Sequence, residues 1–338
     1  LAKAAHEQGR RLVVPLMGFP GVGIAGTSIK VAQQNHAMHF RVVKGLADRF
    51  KPDLIFPLMD LSVEANALGR YTVFPRHDSA TVPKQPFSLA ELDSLREIDV
   101  ACDCRVRSMV ETVRRMRAEL PAETLVGTYV AGPYSLAALI MGADEAAMST
   151  VAAPGELAAL CEFTAQTIRS YASLLMDAGA QVVCVLEPSA VMLGPDTFAD
   201  FSARYVSTIA DLCRARGVGS VYHTCGNTMH VFEHMAAAGV DGLSLDAPGT
   251  GVNLKTVVER VPEDVVVIGN ICPATTMLSG SPERVGLEVE ELLRVMAPHP
   301  NFVLGTGCDL PPETPLENIE AFMRAGRASS CGCGCCCA

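Results

Sequence analysis

Short apolar runs recur along the chain, and most are followed by stretches whose apolar positions return every three to four residues. The runs are RLVVPL (11–16), DLIFPL (53–58), TLVGTYV (124–130), QVVCVLE (181–187), VGSVYH (218–223), DGLSLD (241–246), VVVIGN (265–270) and FVLGTG (302–307). They are rich in Val, Ile and Leu with little polar alternation, the pattern of strands covered on both faces. Between them lie amphipathic stretches such as ELAALCEFTAQTIRSYASLLMDAG (156–179) and ADFSARYVSTIADLCRARG (199–217), which read as helices. Alternating strands and helices imply parallel pairing, because parallel neighbours need a long crossover. Eight such runs predict an α/β fold, a (βα)8 TIM barrel formed by residues 1–328 as one catalytic domain. Residues 27–50 read as helix, and segment 60–120 is longer than one crossover, so extra helices are expected over the barrel mouth near the N-terminus. Thr314-Pro315-Leu316-Glu317 has the form of a capping box, with Thr at the N-cap, Pro at N1 and Glu at N3 of the last helix. Residues 329–338 turn to Ser, Gly and Cys and are expected to form a flexible tail.

Composition narrows the function classes. A hydrophobic content of 49% over 338 residues is ample for a large core. The net charge is −10 with no long basic run, which argues against a nucleic-acid partner. No apolar run reaches the roughly 18 residues of a membrane span. The opening LAKAAHEQGRR does not have the form of a signal peptide. Of 13 cysteines, five crowd the tail CGCGCCCA and the others are scattered. A core this large needs no disulfide staples, so a cytoplasmic protein with reduced thiols is expected.

Barrel enzymes build their sites at the C-terminal ends of the strands. There the sequence places Asp60, Glu187, His223, Cys225, Asp246, Asn270 and Cys308. His223 and Cys225 are two apart, so in extended chain both face one side. Cys308 follows a Gly-Thr-Gly turn and can reach the same point. Two thiolates and an imidazole make a Cys2His donor set, and catalytic zinc takes three protein ligands with one position open. The alternative is a pair of packed side chains.

HTCGN (223–227), GVDGLSLD (239–246), VVVIGNICP (265–273) and GTGCDLPPETPLENIEAF (305–322) together resemble the uroporphyrinogen decarboxylase superfamily. They look most like its methylcobamide:coenzyme M methyltransferase branch, whose His-x-Cys…Cys zinc motif is matched at His223, Cys225 and Cys308. PDLIFPLMDLSVEANALG (52–69) fits the same pattern, with Asp60 at the acidic position. The resemblance covers roughly residues 12–328 and implies a (βα)8 barrel. It implies zinc as cofactor, a methylated corrinoid supplied by a partner corrinoid protein, and a small thiol such as coenzyme M as acceptor. A folate acceptor, or transfer from a methylated substrate to the corrinoid protein, stays open. Glu187 is expected to fill the fourth zinc position before substrate arrives. Asp60 and Asp246 are expected to orient ligands or acceptor, although Asp246 equally suits an N-cap of the following helix. Decarboxylases of the superfamily carry an arginine-rich N-terminal motif that grips substrate carboxylates. Here that region reads PLMGFPGVGIAG (15–26), without arginine, which argues against decarboxylation.

Other motifs carry less. Gly21 to Gly26 match G-x-G-x-x-G, but Asp48, the only acid at a suitable distance, lies in helix-like sequence, so a mouth loop is expected and not a dinucleotide site. His230-Val231-Phe232-Glu233-His234 matches H-x-x-E-H, with no third ligand nearby, and reads as helix surface. Cys102-Asp103-Cys104 reads as a helix flank. The tail thiols suit disorder, a soft metal or redox disulfides. A non-catalytic metal- or corrinoid-binding role would rest on that tail alone.

Overall fold

The structure is a computed structural model that describes residues 1–328. The tail expected at 329–338 lies outside the described residues. Eight strands form one all-parallel sheet: β1 (Val13–Val14), β2 (Leu54–Ile55), β3 (Leu125–Ala131), β4 (Val182–Leu186), β5 (Gly219–Thr224), β6 (Gly242–Leu245), β7 (Val266–Ile271) and β8 (Phe302–Thr306). Their order, β1-β8-β7-β6-β5-β4-β3-β2, is that of a TIM barrel opened between its first two strands. Side chains close that seam. The Val13 amide donates to Asp53 Oδ2 at 2.7 Å, and the Asp53 amide donates to the Val13 carbonyl at 3.2 Å. Arg10 holds the other Asp53 oxygen at 2.9 Å.

β1 and β2 are shorter than the runs 11–16 and 53–58 had suggested. Each run contains a proline, Pro15 and Pro57, which has no N–H to give to a ladder. Beyond Pro15, the Leu16 amide turns to the Thr306 hydroxyl at 3.0 Å.

Alternation along the strands sorts the core. Val14, Leu16, Leu54, Phe56, Tyr129, Cys184, Leu186, Val221, Ile268 and Val303 pack together inside the barrel, joined by Ala2 from the first helix. Their neighbours, such as Val13, Ile55, Val130, Val183, Val185, Leu243, Val267 and Leu304, face outward into the larger cluster under the helices. Both faces are thus dry, as the continuous apolar runs required.

The 27–50 stretch is two helices, Ile29–Gln34 and His36–Phe50. The break falls at Asn35, whose side chain accepts from the Met38 amide and caps the second helix. Segment 60–120 does contribute the extra helices, Val63–Ala67 and Leu92–Arg96, before the longer Cys104–Glu119. Two local expectations fail. Gly21–Ala25 is a short helix closed by Gly26 in the left-handed region, not a loop. The capping box at 314–317 does not form: the last helix starts at Leu316, and the Thr314 hydroxyl is buried without a partner.

Candidate metal centre

β5 carries His223 inward, and Cys225 follows just beyond the strand end; Cys308 lies two residues past β8. The three side chains meet. His223 Nε2 is 3.3 Å from Cys225 Sγ and 3.6 Å from Cys308 Sγ, and the two sulfurs are 3.5 Å apart. That is far beyond the roughly 2.05 Å of a disulfide. Tetrahedral zinc, with Zn–S of about 2.3 Å and Zn–N of about 2.0–2.1 Å, would space its thiolates about 3.8 Å apart and each about 3.6 Å from the imidazole nitrogen. The donor set therefore fits such an ion closely. It is the one group of this kind among the described residues.

The imidazole is aimed by its neighbour in the sheet. Ser244 stands opposite His223 in the β5–β6 ladder, and its hydroxyl lies 3.0 Å from His223 Nδ1. With Nδ1 so engaged, Nε2 is left for the sulfurs, the arrangement by which neighbouring groups set a ligand's tautomer. Protons are shared within the trio. The hydrogen bond with Cys308 holds the Cys225 thiol below its ordinary range. That same bond, and then burial, push Cys308 well above it. Burial works to lower the His223 pKa, but the contact with Cys308 and the charges of Cys308 and Asp246 leave it raised. One thiolate is thus favoured at the expense of the other; a bound cation would deprotonate both.

Asp246 shapes the loop that holds Cys225. Its Oδ2 accepts the Gly226 amide at 2.7 Å and its Oδ1 accepts the Ala247 amide at 2.6 Å. Gly226 sits at φ +88°, where a side chain would be strained, so the loop needs glycine there. Asn270 Nδ2 in turn donates to the Asp246 carbonyl at 2.8 Å. Asp246 is no helix cap: the turn Pro248–Thr250 that follows has Ala247 at its N-cap and no side-chain cap.

Glu187 lies at the end of β4 but turns away from the sulfurs. Its Oε1 accepts the Tyr134 amide and the Ser202 hydroxyl, each at 3.0 Å, and its Oε2 accepts the Ser135 amide at 2.8 Å. The carboxylate thereby receives the N-terminal amides of the helix Pro133–Met141. Burial pushes its pKa up to about 7 against the pull of those hydrogen bonds. Gly132 leaves it room: a Cβ there would come within 2.0 Å of the Glu187 carboxyl carbon. The structure does not bring Glu187 into the three-donor group, where it had been expected as a fourth ligand.

Asp60 is also engaged. Its Oδ2 pairs with Arg105 Nη2 at 2.5 Å, and its Oδ1 accepts the amide and hydroxyl of Ser62. Arg105 further reaches Ser62 and Asn66 and stacks on Phe74. Sequence reasoning missed Arg105 and Ser244, and also Glu64, whose carboxyl accepts the Ala131 amide. The last was within reach, since Asp60-x-x-x-Glu64 places two acids one turn apart. The H-x-x-E-H run is no metal site: His230 bonds the Leu193 carbonyl and Glu233 pairs with Arg260. Asp48 pairs with Lys44 on the surface, and Asp103 caps the helix Cys104–Glu119.

The uroporphyrinogen decarboxylase family model matches residues 22–329. The chain belongs to that family. Within the family, the chain is 27% identical over 309 residues to a uroporphyrinogen decarboxylase from Synechococcus sp., covering 89% of this chain and 85% of the relative. It is 27% identical over 226 residues to a methylcobamide:CoM methyltransferase from Methanosarcina acetivorans, covering 66% of this chain and 64% of that one. A solved methyltransferase from Methanosarcina mazei superposes with a TM-score of 0.84 at 19% identity, over 96% of this chain and 97% of that one, which shows a shared fold. Relatives named for both chemistries thus align with the chain. Among the described residues no helix is long and apolar enough to cross a membrane.

Proposed function

We propose that this protein is a zinc-dependent methyltransferase that moves a methyl group between a methylated corrinoid protein and a thiol. The observation that carries the proposal is the convergence of His223, Cys225 and Cys308 at the barrel mouth. These three side chains would hold the zinc ion, whose chemistry is to bind a substrate thiol as its thiolate at neutral pH. The thiolate is the nucleophile. Cys225 and Cys308 as thiolates, with His223 neutral, bring two negative charges to a doubly charged cation. Held there, the ion would leave the charge of an incoming thiolate unquenched, so that the thiolate's sulfur would stay nucleophilic. The new S–C bond forms as the Co–C bond of the corrinoid substrate breaks, and the electron pair of that bond stays on cobalt. Asp246 serves by fixing the Cys225 loop through Gly226, Ser244 by fixing His223, and Asp60 by holding Arg105 and the chain after β2. Glu187 supports the mouth through the helix Pro133–Met141.

Decarboxylation is the competing function, supported by decarboxylase relatives aligned over most of the chain. It has no use for a Cys2His donor set, and residues 15–26 offer no arginine for substrate carboxylates. Transfer from a methylated substrate to the corrinoid protein would use the same donors in the other direction.

The deciding measurement is zinc per chain. We expect one zinc in the purified protein, retained after truncation behind Ala328 and lost in Cys225→Ser and His223→Ala. Zinc that vanishes with the tail, or a zinc-free protein that turns over uroporphyrinogen, would overturn the proposal.

A further inference from the structure

The two sulfurs of the centre touch. Cys225 Sγ and Cys308 Sγ are 3.5 Å apart, although 83 positions separate them in the chain. Both residues are partly exposed, so a small solute can reach them. The other described thiols are placed differently. Cys161, Cys184 and Cys213 are buried, and Cys102 and Cys272 bond to Asp99 and to the Thr275 amide. Cys225 and Cys308 also stand outside the strand ladders, one just beyond β5 and the other two residues past β8. Each side chain can turn about its own Cα–Cβ bond without breaking a ladder. His223 cannot: it is paired within the sheet and tied to Ser244. A bond between the sulfurs needs them to close by roughly 1.5 Å, from 3.5 Å to about 2.05 Å.

From this geometry we infer that Cys225 and Cys308 form a reversible disulfide when a peroxide reaches them, and that this bond switches the metal centre off. The inference rests on reading the trio as a metal site, and it adds a means of regulation to it.

The chemistry balances in two steps. One sulfur attacks an oxygen of hydrogen peroxide, the O–O bond breaks, and the sulfur becomes a sulfenic acid as hydroxide leaves. The other sulfur then attacks the first, the S–S bond forms and the S–O bond breaks. Two thiols give up two electrons and two protons, and one hydrogen peroxide becomes two waters. The fold already holds both sulfurs together, so the second step is intramolecular and outruns capture by a free thiol. A disulfide has no thiolate to offer a metal. Two of the three donors are then lost, and His223 alone cannot hold the ion. A dithiol reductant opens the bond and restores the donor set. In a reducing compartment a bond of this kind is transient and signals oxidation.

The test exposes the full chain, with and without zinc, to a small molar excess of hydrogen peroxide. Links are mapped by mass spectrometry of non-reduced peptides, and released zinc is read with a chromogenic chelator. We expect a Cys225–Cys308 link to form on the order of tenfold faster than any link through Cys272 or the tail cysteines. About nine-tenths of the bound zinc should leave with it, and dithiothreitol followed by zinc should restore the starting content. Cys272→Ser should change the rate of linking by less than about twofold, and Cys308→Ser should abolish the link; circular dichroism checks that each variant is folded. Oxidation of Cys225 to a sulfinic acid without a link, or links chiefly through Cys272 or the tail, would overturn the inference and leave the methyl-transfer proposal standing. A link that forms in a chain unable to take up zinc when reduced would remove the switch and the proposed function together.

Discussion

A hydroxyl one strand away decides how His223 is presented. Ser244 is buried and contributes no metal-binding atom, yet it is what engages Nδ1 and leaves Nε2 facing Cys225 and Cys308. Ser244→Ala would leave that nitrogen unpaired and the ring free to turn. Loss of such a supporting hydrogen bond typically costs 10- to 100-fold in metal affinity. We expect a fall of that size in a competitive chelator titration, with the far-ultraviolet circular dichroism unchanged; unaltered affinity would show that packing alone orients the imidazole. At this scale the sequence was informative about donors and silent about supports. A His-x-Cys pair announces itself by spacing, whereas Ser244 is one serine among many until the β5–β6 register sets it beside His223. Glu187 shows the opposite error. Its position at a strand end was legible, but the rotation of its carboxylate toward the Tyr134 and Ser135 amides depends on a helix packed from elsewhere in the chain.

The junctions between elements are set by small local facts. Pro15 and Pro57 cut β1 and β2 short, and Asn35 splits a continuous helical pattern into two helices by capping the second. These were written in the sequence, though the apolar runs concealed them. The failed capping box at Thr314 was not: its residues have the right spacing, but the helix begins at Leu316 and the hydroxyl is buried away from the amides. The link from β3 to its helix is the most constrained junction. Gly132 has ordinary backbone angles, so what it supplies is space for the Glu187 carboxyl group. Gly132→Ala would drive Glu187 off three hydrogen bonds and leave a buried carboxylate unsupported. We expect a loss on the order of 3 kcal/mol in urea unfolding, against a change under about 0.5 kcal/mol for an exposed surface substitution. A fully stable Gly132→Ala protein would mean that this carboxylate does not tie β3 to β4.

For the molecule as a whole, buried acids make stability depend on pH. Burial holds the Glu64 carboxyl, normally near 4.5, up at about 7, even though the Ala131 amide donates to it. Between those values the folded protein keeps a proton that the unfolded chain has released. Stability from this group is therefore greatest below pH 4.5, falls as pH rises toward 7, and levels off above. The shift corresponds to a loss on the order of 3 kcal/mol. Glu187 has the same sign. Glu64→Gln removes its share, so its thermal midpoint should fall less than the parent's between pH 5 and pH 8; an equal or larger fall would contradict this assignment. The barrel itself was legible from the eight apolar runs, because strands buried on both faces leave no other pattern. The charged cluster of Asp60, Glu64 and Arg105 was not, since it joins the segment after β2 to a helix some forty residues on.

The side-chain seam between β1 and β2 has a dynamic consequence. Every other neighbour in the ring is joined by a backbone ladder, while this pair leans on one aspartate and a single main-chain bond. Thermal breathing of the barrel therefore costs least there. In the strand order, the arc farthest from the seam is β5 and β6, the pair that carries His223 and Ser244. The ring can flex at its clasp while the strands that aim the imidazole stay in register.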